Sequence, residues 1–346
     1  ILYVGTFSER GSKGIYVFDF DRSTGELTEI QTVEHKKSPS FLEVHPNKKY
    51  LYAAYREGSS EEDKNGTITS FMIDQLTGKL VKINEQSSMG SGSCHVSVDP
   101  QGRFVYVSNY GGGNLAVYPI LSDGSLGKPT DIVEHTGKSI DLNRQQEPHV
   151  HSAIPSENGQ FVYVSDLGID KIMIYKVAES GKLSSAEMSF VESKPGSGPR
   201  HFVLHQNGKF AYSIEELSST IAVYKVDKTT GSLTYLHRVD ILSPDADFTG
   251  QNLAADIQVS PDGKFVYASN RGQNNLAIFA IDSSNGRLTL AGHEASNGKR
   301  PRNFCIDKEG ETVFVANRES DNISVFRRDL KSGKISLTGE QANVPA

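Results

Sequence analysis

The stretch EPHVHSAI places two histidines, His149 and His151, one residue apart. Two Pro-Arg pairs, ending in Arg200 and Arg302, lie further along, with adjacent glutamates Glu215 and Glu216 and the arginine of Ser-Asn-Arg, Arg271. Imidazole can take and return a proton near neutral pH, or ligate a metal. A carboxylate can act as a general base. Guanidinium offers a planar fork to carboxylate, phosphate or a developing oxyanion. On a strand His149 and His151 point the same way, as metal ligands could. No third ligand is specified nearby, and arginines, which cannot ligate, fill the slots equivalent to His151. Neither metal nor cofactor is expected. The plainer readings are a buried, satisfied histidine pair and Arg–Glu pairs closing strand ends, worth little if exposed.

What must position these residues is a repeat. Thr-Gly-Glu-Leu-Thr at Gly25 recurs around Gly78, Gly124, Gly181, Gly231, Gly286 and Gly333. Each copy reads as a tight turn followed by the start of a strand. In phase with it runs a series of apolar strands centred on Tyr3, Tyr52, Tyr106, Tyr163, Tyr212, Tyr267 and Phe314, at intervals of 47 to 57 residues. Seven units of four short antiparallel strands predict an all-β, seven-bladed β-propeller, a single domain over residues 1–346. The first unit lacks its opening strand, and the tail after Gly339 is expected to lead into it, closing the ring between the N- and C-terminal strands. Of the longest insertions, Gly58–Gly66 reads as acidic and solvated, and Thr136–Glu147 and Ser243–Asn252 as covering one face of the disc.

Aligned on the anchor aromatic, the units put Ser40, Cys94, His151, Arg200, Ala255 and Arg302 in one column, twelve residues before it. Four residues after it come Arg56, Tyr110, Leu167, Glu216, Arg271 and Arg318; one earlier come Tyr55, Asn109, Asp166, Glu215, Asn270 and Asn317. In antiparallel hairpins these columns meet at one end, with His151 opposite Asp166, Arg200 opposite Glu215 and Ala255 opposite Asn270. In a closed ring they would share one mouth of the channel. Several arginines on one rim of an acidic chain suit an anion, and mixed charge there is costly without a ligand or mutual pairing.

Composition sets the outer limits. The net charge of −6 argues against a nucleic-acid surface, and no apolar run is long enough to span a bilayer. Two distant cysteines, Cys94 and Cys305, make no disulfide framework or zinc cluster and weakly favour a reducing compartment. YGGGNL at 110–115 lacks the ending of a phosphate-binding P-loop, and no Gly-x-Ser-x-Gly nucleophile elbow occurs.

Stretches covering almost the whole chain, among them CHVSVDPQGRFVYVSNYGGGNLAVYPI, RQQEPHVHS, GPRHFVLHQNGKFAYSIEEL and RPRNFCIDKEGETVFVANRESDNISVF, carry a resemblance. The sequence resembles the seven-bladed lactonase family, which contains bacterial 6-phosphogluconolactonases and fungal carboxy-muconate lactonising enzymes. The resemblance implies His151, with His149 beside it, Arg200, Glu216 and Arg271 as catalytic residues. His149, His201, Arg302, Asn317 and Tyr110 are expected to bind substrate. Arg56 with Glu57, and Asp256 in place of a glutamate, depart from the family's pattern. The expected activity is water attack on a sugar-acid lactone, 6-phosphogluconolactone above all, with His151 or Glu216 as base and the arginines holding oxyanion and phosphate. The alternatives are a muconolactone-type isomerase of the same fold and a non-enzymatic propeller that binds a ligand or protein at its rim. The expected partner is a small anionic lactone, with neither nucleic acid nor membrane; the protein is expected to be a monomer in the cytoplasm, the periplasm being the alternative.

Overall fold

The two sequence series meet in space. In the computed structural model, which describes residues 1–8, 10–56, 65–244 and 248–345, the seven turn glycines all take φ between 73° and 89°. That region strains any side chain with a Cβ, which is why glycine recurs there. Four of the anchor tyrosines reach over to the glycine turn of the following sheet: the Tyr3 hydroxyl donates to the Gly78 carbonyl at 2.8 Å and Tyr52 to Gly124 at 3.1 Å. Tyr212 and Tyr267 do the same to Gly286 and Gly333. Burying a hydroxyl is costly without a partner, and for these four the repeat supplies one a unit along.

All regular structure among the described residues is antiparallel strand, and the strands form seven sheets. Six have four strands in chain order; the first has three, Leu2–Gly5, Gly14–Phe20 and Leu27–Glu34. The residues group into two compact units. The first holds residues 1–20 and 28–192, hence the first four sheets, and the second holds residues 21–27 and 193–345, hence the last three. Within each unit the apolar residues cluster between consecutive sheets: Ile15, Val17, Leu51 and Phe71 in one such layer of the first unit, Tyr267, Leu276, Phe304 and Val315 in one of the second. The strands are buried on both faces there, which explains runs such as FVYVS that are apolar or small throughout.

The tail differs from expectation. Ile335–Asn343 is the fourth strand of the last sheet, paired with Asn322–Arg328, and Val344 still bonds Asp321. Residues 339–343 are thus used up in completing their own sheet, and the first sheet has three paired strands among the described residues. Within the second unit, Arg22 of the 21–27 turn pairs with Asp307 at 3.0 Å and bonds Glu309. The acidic insertion Gly58–Gly66 lies, but for Asn65 and Gly66, outside the described residues, as does Glu57. No helix among the described residues is long and apolar enough to cross a membrane.

Candidate active site

Sheets two to seven each open with a hairpin, and each hairpin loses its pairing at the same place. Pro199 pairs with Glu215, but the next partners are His201 and Ile214. The same slip occurs between Pro39 and Phe41, Ser93 and His95, Val150 and Ser152, Ala254 and Ile257, and Pro301 and Asn303. The residues left out of register are Ser40, Cys94, His151, Arg200, Ala255 with Asp256, and Arg302. A β-bulge inserts an unpaired residue and re-aims its side chain. Simple alternation places Arg200 opposite Glu215, His151 opposite Asp166 and Ala255 opposite Asn270. The bulge gives those partners to Pro199, Val150 and Ala254 instead.

This shift separates the two columns at the end of the second strand. The earlier one is a row of latches. Asn109, Asn270 and Asn317, all buried, donate their side-chain amides to the carbonyls of Ser88, Ile241 and Ser296 at 2.9, 2.9 and 3.0 Å, tying down the segment that leaves the preceding sheet. Glu215 is gripped by Arg238 from its own sheet's fourth strand, with Nε at 2.6 Å and Nη2 at 2.8 Å. Asp166 accepts from the His149 backbone at 2.7 Å and faces His135 Nδ1 at 2.7 Å, whose Nε2 lies 3.0 Å from the Tyr175 hydroxyl.

The later column carries the charge cluster of the second unit. Arg200 Nε donates to Glu216 Oε2 at 2.9 Å, and Arg271 Nη2 reaches the same oxygen at 2.7 Å. Arg271 also donates to the carbonyls of Leu253 and Ala254, at 3.2 and 2.7 Å, and Arg200 Nη1 to that of Ala255 at 2.5 Å. Arg200, Glu216 and Arg271 are 2%, 3% and 7% exposed, so their charges have almost no water to lean on. Burial pulls the Arg271 pKa down to about 10, Glu216 opposing the shift and Arg200 adding to it. Arg302, half-buried on the last sheet's opening strand, is shifted well below the usual arginine range, by burial first and then by repulsion from Arg200 and Arg271. Three guanidinium groups thus share the surroundings of one carboxylate. Removing water from such a set is costly, and an anion would offset the cost.

The first unit holds the aromatic half of the expected residues. The Tyr110 ring stacks on His149 at 4.2 Å with 3° between planes, and His149 Nδ1 donates to the Tyr110 carbonyl at 2.9 Å. His151, 3% exposed, meets the same tyrosine edge-on at 5.5 Å and places Nδ1 3.8 Å from the Cys94 sulfur. Neither Cys94 nor Cys305 is in a disulfide. Among the described residues no three His, Cys, Asp or Glu side chains are grouped to hold a metal ion.

Comparison with known proteins matches the description "Lactonase, 7-bladed beta-propeller" to residues 1–346. The chain belongs to the seven-bladed β-propeller lactonase family. It is 39% identical over 311 residues to the 6-phosphogluconolactonase of Formosa agariphila, covering 88% of this chain and 86% of that one. The 6-phosphogluconolactonase of Bacillus subtilis is 35% identical, covering 88% and 84%. The solved structure of the periplasmic gluconolactonase of Pseudomonas aeruginosa superposes with a TM-score of 0.91 at 33% identity, over 99% of this chain and 96% of that one.

In this lactonase-family chain the structure brings Arg200, Glu216 and Arg271 of the second unit into contact and sets Arg302 in their field; within the first unit it groups Tyr110, His149 and His151. Asn317 lies in the latch row. His201 faces Asp256 through Nδ1 at 2.8 Å and Arg200 Nη1 through Nε2 at 3.1 Å. Two participants were not among the expected site residues. Arg144 of the Thr136–Glu147 insertion donates to the Tyr110 hydroxyl at 3.2 Å. Asp256 follows the bulge column just as His201 and Asn303 do, and that shared position is the signal that could have singled it out.

Proposed function

We propose that this protein hydrolyses a sugar-acid lactone, opening 6-phosphogluconolactone to 6-phosphogluconate, as one domain spanning residues 1–346 and as a monomer. The observation that carries the reading is the buried excess of guanidinium over carboxylate around Glu216, in a chain of the lactonase family. Water attacks the lactone carbonyl carbon and loses a proton to a base. The carbonyl oxygen becomes an oxyanion, the ring C–O bond breaks, and the departing alkoxide takes up a proton. Arg200, Arg271 and Arg302 are proposed to hold the phosphate and stabilise the oxyanion. His151 or Glu216 takes the proton, and such catalysis contributes about 10²–10⁴-fold. His149 and Tyr110 bind the sugar acid, and Asn317 braces the site through its latch. A phosphorylated lactone is charged and does not cross a membrane unaided, so the reading implies the cytoplasm. The Pseudomonas aeruginosa relative, named a periplasmic gluconolactonase, favours a second reading in which the lactone carries no phosphate.

The test is the rate of loss of 6-phosphogluconolactone above its spontaneous hydrolysis, with purified protein and a chelator present. The expected result is chelator-resistant acceleration, a product one water heavier, and kcat/KM at least tenfold above that for the unphosphorylated lactone, about the worth of one charge-assisted contact. Equal kcat/KM for the two lactones would favour the second reading. A product of unchanged mass would mark an isomerase.

A further inference from the structure

His201, Asp256 and Asn303 occupy the same place on three consecutive opening strands, Pro199–Leu204, Ala254–Val259 and Pro301–Ile306. His201 and Asn303 directly follow Arg200 and Arg302. The middle residue joins the outer two. Asp256 Oδ1 accepts from His201 Nδ1 at 2.8 Å and from the Ile257 backbone at 3.0 Å. Its Oδ2 accepts from Asn303 Nδ2 at 2.7 Å and from the Phe304 backbone at 3.3 Å. One carboxylate, 4% exposed, thereby stitches three strands together beside the two bulges that present Arg200 and Arg302.

The far side of His201 decides what the imidazole does. Nε2 lies 3.1 Å from Arg200 Nη1, and a guanidinium nitrogen can only donate. Nε2 must therefore carry the lone pair, and the proton sits on Nδ1, pointing at Asp256. Burial, followed by repulsion from Arg200, Arg302 and Arg271, also shifts His201 well below the ordinary histidine range and so favours the neutral ring. The ring passes the orientation of Asp256 on to Arg200, whose Nε is taken by Glu216 and whose Nη1 is shared by His201 and the Ala255 carbonyl. Such a carboxylate–histidine arrangement fixes a tautomer and the direction of the group beyond it.

We propose that Asp256 and His201 are positioning residues that aim Arg200, and through Asn303 the neighbouring Arg302, at the anionic substrate, with His201 a hydrogen-bond acceptor and not a proton-transfer group. The kinetic consequence rests on the lactonase reading; the state of the ring does not. Histidine-labelled protein observed by ¹⁵N NMR at pH 7, with the His201 signals assigned from a His201→Gln variant, is expected to show protonated Nδ1 and bare Nε2. A doubly protonated ring, or a proton on Nε2, would overturn the assignment. In Asp256→Asn the amide must turn a donor toward either His201 or the Asn303–Phe304 pair. KM for 6-phosphogluconolactone is expected to rise about tenfold, the effect of one misdirected charge-assisted bond, with kcat changed much less. His201→Gln, which keeps an acceptor for Arg200, is expected to retain a lower KM than His201→Leu. Wild-type KM in folded Asp256→Asn and His201→Leu, or a loss confined to kcat, would refute positioning. If the wild type turned over no lactone, the functional reading would fail and the ¹⁵N result alone would decide the assignment.

Discussion

At the scale of single residues, the burial of charge separates what each group is for. Glu43, on the opening strand of the second sheet, has its carboxyl pushed up to about 7 by burial. A folded-state value above the unfolded one means the folded form holds the proton more tightly. The resulting stability is complete below the unfolded value near 4.5, shrinks as pH rises and is gone above about 7. Glu43→Gln is therefore expected to melt at a higher temperature than wild type at pH 8, with the gain absent at pH 4. Thermal unfolding at the two pH values checks this, and an equal difference at both would refute it. Glu216 differs: its charge is matched by Arg200 and Arg271, and neutralising it strands two buried guanidinium groups.

At the scale of the element, one inserted residue per hairpin converts a regular strand end into a site. Glu215 and Glu216 are neighbours in sequence, yet Glu215 pairs with Arg238, while Arg271 and the bulged Arg200 meet Glu216. Glu215→Gln is expected to lower the melting temperature with kcat/KM of the folded fraction within about twofold of wild type. Glu216→Gln is expected to lower kcat/KM by about tenfold or more, since it weakens charge-assisted bonds to both arginines. Activity and melting curves on the two variants separate latch from site, and a reversed pattern would exchange the roles. The bulge also marks where the sequence stops being legible. The column of Arg200, His151 and Arg302 was visible from spacing alone, because each repeat has the same length between bulge and anchor. Which residue faces which is not, because a bulge leaves no constant composition signature: proline, serine, alanine or valine stands before it. Counting by two across the hairpin therefore gave Arg200 the wrong glutamate.

At the scale of the whole molecule, periodicity carried the reading. Glycine at seven turns and an aromatic at seven anchors announced seven sheets, and the Tyr–Gly hydrogen bonds give the physical reason for their phase. Spacing shows that the first unit lacks an opening strand but cannot name the partner of the tail, and Ile335–Asn343 pairs with Asn322–Arg328. Net charge misleads at this scale too. The chain is acidic by six charges, yet its second unit gathers three arginines about one carboxylate. Attraction for an anion is local here and is set by burial, not by the sum over the surface.

Handling of the anionic lactone falls, in the proposed function, to this arginine group. The most direct measurement is kcat/KM for 6-phosphogluconolactone in the Arg200→Lys, Arg271→Lys double variant, taken on protein whose melting curve shows it folded. Lysine keeps each charge and removes the fork that bonds Glu216 and substrate together. Each lost contact is worth about 1.5–3 kcal/mol, so a fall of at least about a hundredfold is expected. Wild-type kcat/KM in the folded double variant would contradict the account.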